Sequence, residues 1–471
     1  MKKLLTLSVM FILCLMTFAT DFMRVKFKDG NIIKYEVDNI EEVDFEIGKD
    51  TSAIGDTTAI DTTNNPLKFR ITSNSTAEVI HSNLYANIDS ISIPSKVRIG
   101  DKIYSVTSIG EDAFNNCRSL MNVQIPESVT SIEAHAFWGC SGLTNIQIPE
   151  SVTNIGERTF SFCSSLTNIQ IPDGVTSIGS GAFSYCDGLT NTHITIPASV
   201  ARIDSCVFTG SNLKSIEILE GITSIGERVF ERCDSLNKIV IPNSVTSIEP
   251  YAFNGCSSLA SINIPESVTS IGWFAFYDCS SLASINIPKG VTSIEDMTFS
   301  GCNSLENISI PEGVTSIGEF AFSGCSSLKS INIPESVTSI GASIFYGCSS
   351  LEPKLLVYDK GTKCYGWVGN KEKCTNVVIP EGVTSIGDSA FYGCSELTSI
   401  KIPESVTIIE GFAFSGCSSL TSINIPESVT NIGYNAFKNC TNLNVVIDNS
   451  KDNVEVDNYA FQGCKSVTYL K

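Results

Sequence analysis

A period of 23 residues runs through most of the chain, and it limits the possible folds more than any other feature of the sequence. An Ile-Pro pair recurs at this spacing, and a phenylalanine recurs in the same register. Such a period is typical of a repeat protein, in which no unit buries its apolar residues alone and stacked units share one core. The prolines of these pairs are Pro126, Pro149, Pro172, Pro242, Pro265, Pro288, Pro311, Pro334, Pro380, Pro403 and Pro426.

One unit reads I-S-I-P-E-G-V-T-S-I-G-E-F-A-F-S-G-C in the copy that ends at Cys325. The alternation over residues 308–310 predicts a short β-strand, because alternate side chains of a strand lie on the same face. Proline then ends the strand, and we expect Ala321-Phe322 in a short helical turn. Units stacked at about 4.8 Å predict a rod or an arc roughly 70 Å long.

Two units depart from this pattern. One has Leu219 where proline is expected, and residues 352–376 lack both the phenylalanine and the Ile-Pro pair while keeping the length of a unit. We interpret the second as a degenerate rung that continues the stack. The repeat phenylalanines are Phe114, Phe137, Phe160, Phe183, Phe208, Phe230, Phe253, Phe276, Phe299, Phe322, Phe345, Phe391, Phe414, Phe437 and Phe461.

The first residues predict export. Lys2 and Lys3 precede an almost continuous apolar run over residues 4–16, and Thr17-Phe18-Ala19 supplies small residues for cleavage. This is the layout of a secretory signal peptide, here residues 1–19, and the run is too short for a stable membrane span. No later apolar segment approaches the roughly 18 residues that a span requires. We therefore predict a secreted or cell-surface protein with no membrane insertion after signal removal.

Three short regions separate the signal peptide from the repeats. Residues 20–47 alternate apolar and polar residues around Asp29-Gly30, which predicts a β-hairpin segment. Residues 48–66 are rich in Thr, Asp and Asn and predict a linker. Residues 67–105 contain strand-like pieces and are expected to cap the open end of the solenoid. The repeats then occupy residues 106–471.

The motif I-x-I-P-x-x-V-T-x-I-x-x-x-A-F-x-x-C-x-x-L resembles the BspA-type (Treponema pallidum-like) leucine-rich repeat family over about residues 106–471. The resemblance implies a solenoid of the leucine-rich-repeat type, with short parallel β-strands and short helical turns. It also implies a bacterial or protozoan surface or secreted protein, since several members are linked to adhesion to matrix proteins or other cells. The family supplies no catalytic residues, so we expect neither an enzyme nor a cofactor.

The charge balance narrows the range of partners. The formal net charge is −19 and the pI about 4.6, and this excess of acidic groups opposes binding to nucleic acid. Three functions remain open: adhesion to an extracellular protein of a matrix or host surface, glycan binding, and a structural spacer of the cell envelope. The resemblance favours adhesion, and the near-identity of many rungs favours a spacer or an avidity role.

Most of the 18 cysteines lie three residues after a repeat phenylalanine. Parallel side chains on a ladder do not converge on a metal ion, and their Cβ atoms lie wider apart than a disulfide requires. We therefore predict buried free thiols and no metal site. Cys364 and Cys374 flank the degenerate rung and form a candidate disulfide. The three histidines, His81, His135 and His193, lie in unrelated positions of the pattern, so we predict no catalytic site.

A run of large apolar side chains predicts a binding patch. The column two residues before the phenylalanine is mostly polar or small, but four consecutive rungs carry aromatic residues or methionine, and two aromatic residues flank that run. Contiguous large side chains at a variable position are typical of a binding surface. The alternative is that they cover the turn face without binding anything. These six residues, called the aromatic patch below, are Tyr251, Trp273, Phe274, Tyr277, Met297 and Phe320.

An acidic residue follows most of the Ile-Pro pairs. This acidic column predicts a stripe that attracts cations or a basic partner, and the alternative is a solvated edge that favours solubility. Its members are Glu127, Glu150, Asp173, Glu220, Glu266, Glu312, Glu335, Glu381, Glu404 and Glu427.

Overall fold

The computed structural model describes residues 66–190, 193–358 and 361–471, together with the backbone of three earlier strands. The chain divides into two units, residues 1–57 and 58–471. In the first unit, the strands Phe22–Lys26 and Ile32–Glu36 pair antiparallel. The predicted signal peptide and the predicted Asp29-Gly30 turn lie outside the described residues. No helix of the described chain is long and apolar enough to cross a membrane.

The second unit is a solenoid. Short strands of its regular turns pair in parallel with the equivalent strands of the neighbouring turns and form ladders, so the predicted solenoid of short parallel strands is confirmed. The strand that precedes each proline forms the first ladder, as its alternating pattern predicts. Ile308 of one turn lies beside Ile331 of the next turn. The strands of the first ladder are Ser90–Ser92, Asn122–Gln124, Asn145–Ile146, His193–Ile196, Ser215–Ile218, Lys238–Val240, Ser261–Ile262, Ser284–Ile285, Asn307–Ser309, Ser330–Asn332, Asn376–Val378, Ser399–Lys401, Ser422–Ile425, Asn444–Ile447 and Ser466–Tyr469.

A second ladder, which the sequence analysis did not predict, runs through the Ser-Ile pair that follows Val-Thr. Ile317 of one turn lies beside Ile340 of the next turn, and both side chains are buried. The strands of the second ladder are Lys102–Ile109, Ser131–Ile132, Asn154–Ile155, Ser177–Ile178, Ser224–Ile225, Ser247–Ile248, Ser270–Ile271, Ser293–Ile294, Ser316–Ile317, Ser339–Ile340, Lys363–Val368, Ser385–Ile386, Ile408–Ile409, Asn431–Ile432 and Glu455–Val456.

The third side of each turn is centred on the repeat phenylalanine and contains successive hydrogen-bonded turns. Cys117 N donates to Phe114 O at 3.1 Å within one turn, whereas Phe114 N donates to Ala136 O of the next turn at 2.7 Å. The residues two before and two after the phenylalanine, here Asp112 and Asn116, both have a φ of 57°. This alternation of right- and left-handed backbone directs every second N–H group at the neighbouring turn. We call this five-residue segment of each turn the turn ladder.

The phenylalanines of successive turns stack into one buried column. Their ring centroids lie 5.0–5.9 Å apart with interplanar angles of 4–19°. Most of these rings are fully buried, as the repeat pattern predicts. The column extends into the N-terminal segment, where the buried ring of Tyr85 lies 5.2 Å from that of Phe114.

The segment before the repeats is built from antiparallel pairs that join the second ladder. Lys68–Ile71 pairs with Thr76–Ile80, and Lys96–Ile99 pairs with Lys102–Ile109. The strand Ile60–Asp61, which lies within the predicted linker, pairs parallel with Lys96–Ile99. The described chain contains no α-helix. Its 3-10 helices are Asn83–Asn87, Lys371–Lys373 and Lys451–Asn453.

Residues 352–376, which we predicted to be a degenerate rung that continues the stack, form a hairpin whose second strand joins the second ladder. The strand Lys354–Tyr358 pairs antiparallel with Lys363–Val368, which then pairs parallel with Ser385–Ile386. Without a proline to end the first strand, the chain continues as a strand and turns back. The stack resumes beyond this hairpin, but the aromatic column is interrupted between Phe345 and Phe391.

We predict that Phe276→Ala lowers the free energy of unfolding by about 3–5 kcal/mol, because it removes a fully buried ring that stacks on both sides. Urea unfolding followed by circular dichroism measures this loss. Asn263→Ala, at an exposed position just after the strand Ser261–Ile262 of the same unit, should change stability by no more than about 0.5 kcal/mol. Equal effects of the two substitutions would contradict a shared core.

Candidate binding surface on the turn ladder

The central residues of the aromatic patch occupy left-handed backbone positions. Tyr251, Phe274, Met297 and Phe320 have φ values of 58°, 55°, 52° and 53°. A left-handed conformation costs an L-residue about 1–2 kcal/mol, which is why glycine is favoured there. Other turns carry mostly polar, charged or small residues at the equivalent position, and Phe412 and Tyr459 are the exceptions. What distinguishes the patch is that four consecutive turns all carry large apolar side chains there.

The aromatic rings of the patch pack on one another across two turns. The rings of Tyr251 and Phe274 are stacked with centroids 4.8 Å apart. Trp273 lies 5.4 Å from Tyr251 and 5.8 Å from Phe274, and Tyr277 lies 5.4 Å from Phe274. The structure thus brings together the four aromatic residues of turns 251 and 274 that the sequence singled out.

Met297 and Phe320 continue the column on the next two turns, and both are half-buried. Trp273 is the most open member of the patch, with 48% of its surface exposed. An exposed indole beside half-buried rings offers apolar area that is already ordered by its neighbours, which lowers the entropic cost of binding.

A cation borders the patch on the preceding turn. The guanidinium carbon of Arg228 lies 4.3 Å from the ring centroid of Tyr251, in cation–π geometry. Arg228 also forms ion pairs with Glu227 and Glu231. The patch therefore ends in a charged, hydrogen-bonding edge, which is the arrangement of an apolar centre and a polar rim that protein interfaces use.

A second exposed aromatic column, which the sequence analysis missed, lies on earlier turns. The rings of Trp138 and Phe162 are 5.7 Å apart, and those of Phe162 and Tyr185 are stacked at 4.7 Å. Phe162 and Tyr185 are 44% and 39% exposed. Their position two residues after the repeat phenylalanine was visible in the sequence, but the residue types there vary more from turn to turn.

The acidic column is exposed on every turn where the sequence places it. Several of its carboxylates bind backbone groups of the next turn: Glu220 accepts from Asn243 N and Ser244 N at 3.1 and 3.0 Å. Glu381 and Glu427 lie near Lys401 and Lys471 at 3.9 and 2.5 Å. Attraction of a basic partner stays a prediction, because these bonds also give the column a role within the solenoid.

The candidate disulfide partners Cys364 and Cys374 are both buried, and both thiols are free in the structure. Cys364 lies on the second ladder beside Ile386, and burial raises its pKa to about 12. A hydrogen bond with the Cys394 thiol, together with burial, raises the pKa of Cys374 well above its ordinary value. The disulfide between Cys364 and Cys374 stays a prediction.

Two histidines that occupy unrelated positions of the repeat pattern lie close to one acidic residue. His81 Nδ1 lies 3.1 Å from Asp112 O, and His135 Nδ1 lies 4.0 Å from Asp112 Oδ1. Potential ligand atoms of Glu111, Asp112 and His135 all lie within 4.8 Å of one another. Groups this exposed commonly lie close together without an ion, and we assign no metal site to them.

Comparison with known proteins agrees with this architecture. A family model described as "BspA type Leucine rich repeat region (6 copies)" matches residues 78–194, 191–305, 223–352 and 368–471. The chain belongs to the BspA-type leucine-rich repeat family. Proteins of this solenoid class are generally binding or structural scaffolds. No curated protein matched the chain.

Two solved structures illustrate the similarity. A leucine-rich repeat protein from Bacteroides ovatus is 30% identical, with a TM-score of 0.54, and the alignment covers 86% of this chain and 98% of that one. A leucine rich cell surface protein from Faecalibacterium prausnitzii is also 30% identical, with a TM-score of 0.49 and coverage of 84% and 97%. The family-model match and the Bacteroides ovatus structure confirm the resemblance predicted from the repeat motif.

We predict that Phe274→Gly changes the free energy of unfolding by less than about 1 kcal/mol. Glycine removes the cost of the left-handed backbone, and this gain offsets the lost ring contacts, which contribute about 0.5–1.5 kcal/mol. Urea unfolding measures the change. A loss of more than about 2 kcal/mol would instead mean that the ring is part of what holds the solenoid together.

We also predict that Cys206, a partly exposed thiol, reacts faster with Ellman's reagent under native conditions at pH 8 than the other cysteines of the described chain. Burial hinders access to most of the others and raises the pKa of several, to about 12 for Cys186 and Cys464, which keeps these thiols protonated. Absorbance counts the thiols released before and after denaturation. Rapid native reaction of the whole set would contradict the buried ladder.

The same material tests the candidate disulfide. If Cys364 and Cys374 are joined, the denatured protein releases two thiols fewer, and reductant increases its intact mass by two hydrogens. The Cys206→Ser control should lower the native thiol count by one and leave this mass difference unchanged. An identical mass with and without reductant would exclude the disulfide.

Proposed function

We propose that this chain is a secreted or cell-surface binding protein that attaches to an extracellular protein through its aromatic patch. The observation that carries the proposal is the run of large apolar side chains, Tyr251, Phe274, Met297 and Phe320, at one position of four consecutive turns. Contiguous large apolar side chains on a surface point to an interaction site.

The composition of the patch supports a protein as the partner. Tyrosine, tryptophan, phenylalanine, methionine and arginine are the residues enriched at the centres of protein interfaces. Here they lie within neighbouring turns, with Arg228 at one edge and the exposed Trp273 near the middle. The rings are also ordered by mutual contact before any partner arrives.

The location outside the cytoplasm rests on the N-terminal sequence. Lys2 and Lys3, the apolar run over residues 4–16 and the small residues at 17–19 form a signal-peptide pattern. The excess of acidic residues repels the phosphate backbone of nucleic acid, so we do not propose nucleic acid as a partner. We propose no catalytic step, in keeping with a solenoid family of binding and structural scaffolds.

Glycan binding is the second candidate, and the exposure of Trp273 favours it. An indole with 48% of its surface exposed is a planar apolar face of the kind on which a sugar ring can lie. A spacer role, the third possibility, predicts that neither proteins nor glycans bind. The experiment below separates the three.

We predict that replacing Trp273, Phe274 and Phe320 together with serine abolishes capture of matrix protein and leaves the solenoid folded. The substitutions remove the apolar centre of the patch, where a few side chains carry most of an interface's binding energy. The measurement is surface plasmon resonance of residues 20–471 against immobilised extracellular-matrix extract. Parallel circular dichroism and urea unfolding check the fold.

A matched control uses the second aromatic column. Serine at Trp138, Phe162 and Tyr185 removes three exposed rings from other turns and should leave capture unchanged. Equal loss in both variants would assign binding to aromatic surface in general. Capture that soluble glycans compete away would favour the glycan candidate, and no capture by the unmodified chain would favour the spacer. Binding that does not change with salt would exclude the acidic column as the contact.

A further inference from the structure

The hairpin at residues 352–376 leaves the solenoid without one turn of its turn ladder. Phe345 and Phe391 are two repeat units apart, and Val368 lies midway between them in the sequence. The ring of Phe345 stacks on Phe322 at 5.9 Å, and that of Phe391 stacks on Phe414 at 5.2 Å. The stack of phenylalanine rings is interrupted between them, so one layer of the aromatic column is underfilled.

A cavity of about 320 Å³ lies at this place. The preceding turn lines one side through residues 340–347, and the hairpin with the following turn lines the other. Aromatic and apolar side chains surround much of the space. They include Phe345, Tyr346, Leu356, Tyr365, Trp367 and Val368. A volume of this size lies within the range of ligand pockets.

Regular turns use three alternate N–H groups to bind the next turn. In the turn before the cavity, the residues two before, at and two after the phenylalanine each donate to a separate carbonyl of the next turn. The bonds are Phe320 N to Ala342 O at 3.0 Å, Phe322 N to Ile344 O at 3.0 Å, and Gly324 N to Tyr346 O at 2.7 Å.

The equivalent donors beside the cavity are Ser343 N, Phe345 N and Gly347 N. None of the three has an acceptor within the described residues, and all three residues line the cavity. Ser343 and Gly347 keep the left-handed φ values of the turn ladder, 52° and 76°. The three N–H groups are therefore arranged as in a regular turn but without the carbonyls that such a turn requires.

The opposite wall is satisfied by other means. Trp367 N donates to Ala390 O at 2.9 Å. The Lys371 ammonium group donates to Tyr392 O, and it lies 5.0 and 5.6 Å from the ring centroids of Tyr346 and Tyr392. The hairpin thus donates hydrogen bonds to the carbonyl groups of this wall. The groups at the cavity that lack partners are the three N–H donors of the opposite wall.

We propose that the cavity binds a short peptide segment of a partner protein, which takes the place of the missing turn. Three alternate carbonyl oxygens of the peptide accept from Ser343 N, Phe345 N and Gly347 N. An apolar side chain between them enters the underfilled layer beside Phe345. Main-chain hydrogen bonds supply affinity and the side-chain pocket supplies specificity, as when a peptide extends the edge of a sheet.

The geometry favours a peptide over a small anion. In regular turns each of the three donors points at its own carbonyl oxygen, so the donors are parallel and do not converge on one point. The charges that line the cavity also balance: Asp388 and Glu410 are accompanied by Lys363 and Lys371, and Lys363 pairs with Glu410 at 2.8 Å, so no excess of positive charge attracts an anion. The site lies on other turns than the aromatic patch, and the proposal does not rest on the function proposed above.

The test uses residues 20–471 and a blocked peptide with the sequence of the next turn, Gly-Asp-Ser-Ala-Phe-Tyr-Gly, residues 387–393. Tryptophan fluorescence follows the titration, because Trp367 lines the cavity. We expect saturable binding, weakened at least about tenfold when serine replaces the peptide's phenylalanine, since an aromatic side chain buries a large apolar area. No saturable binding would overturn the proposal.

A variant that refills the layer gives the matched control. Val368→Phe enlarges a side chain that lines the cavity and should abolish peptide binding, whereas Val378→Phe, at a position 68% exposed on the first ladder, should not. Unchanged binding by a folded Val368→Phe protein would overturn the proposal.

Hydrogen exchange provides a readout that does not depend on any variant. In the unmodified chain, the amides of residues 343, 345 and 347 should exchange at least about tenfold faster than those of residues 320, 322 and 324, and the peptide should slow them. Protection by inorganic phosphate without protection by the peptide would identify an anion site instead. Protection that depends on protein concentration in the free chain would identify a second copy as the occupant. Either result would overturn the proposal.

Discussion

The backbone hydrogen bonds of the turn ladder are the constraint from which much of this structure follows. Every second N–H group must point at the next turn, and the chain achieves this by alternating right- and left-handed residues around each phenylalanine. Each left-handed L-residue costs about 1–2 kcal/mol, while each hydrogen bond contributes about 0.5–1.5 kcal/mol net. The alternation is therefore sustained only because it also brings the phenylalanine into the buried column.

The cysteines have a structural role within the same constraint. Their thiols donate to the carbonyl of a phenylalanine one turn earlier, at 3.0–3.3 Å, as Cys140 does to Phe114. Where Ser211 replaces cysteine, its hydroxyl makes the equivalent bond to Phe183 O at 2.6 Å. Burial raises the pKa of most of these thiols, to about 12 for Cys186 and Cys325, and so keeps their donor protons in place. This position of each turn requires a small buried residue that can donate a hydrogen bond. It does not require a reactive thiol.

Periodicity alone was enough to predict the solenoid, the first ladder and the buried phenylalanines. The second ladder escaped prediction because its strands are mostly the two residues Ser-Ile, too short to show alternation. The left-handed positions two residues before the phenylalanine escaped because residues such as Phe274 and Phe320 occupy most of them, whereas glycine, the usual signal of a positive φ, is common only at the positions two residues after it. The meeting of His81 with Asp112 depends on how the N-terminal strands dock on the first repeat turn, which no period encodes.

A solenoid of this kind presents function where a turn departs from the consensus. Regular turns satisfy one another completely, so their surfaces are repetitive and their hydrogen-bonding groups are occupied. A departure in side chains alone, as at Trp273 and Phe274, changes the surface and keeps the ladders intact. A departure in pattern, as in the hairpin at residues 352–376, leaves three parallel N–H groups of the preceding turn without acceptors. They remain aligned because the alternating backbone conformation that orients them lies in that preceding turn. Both kinds of site draw on the same backbone geometry, one through the large side chains that it presents and the other through its unfilled hydrogen bonds.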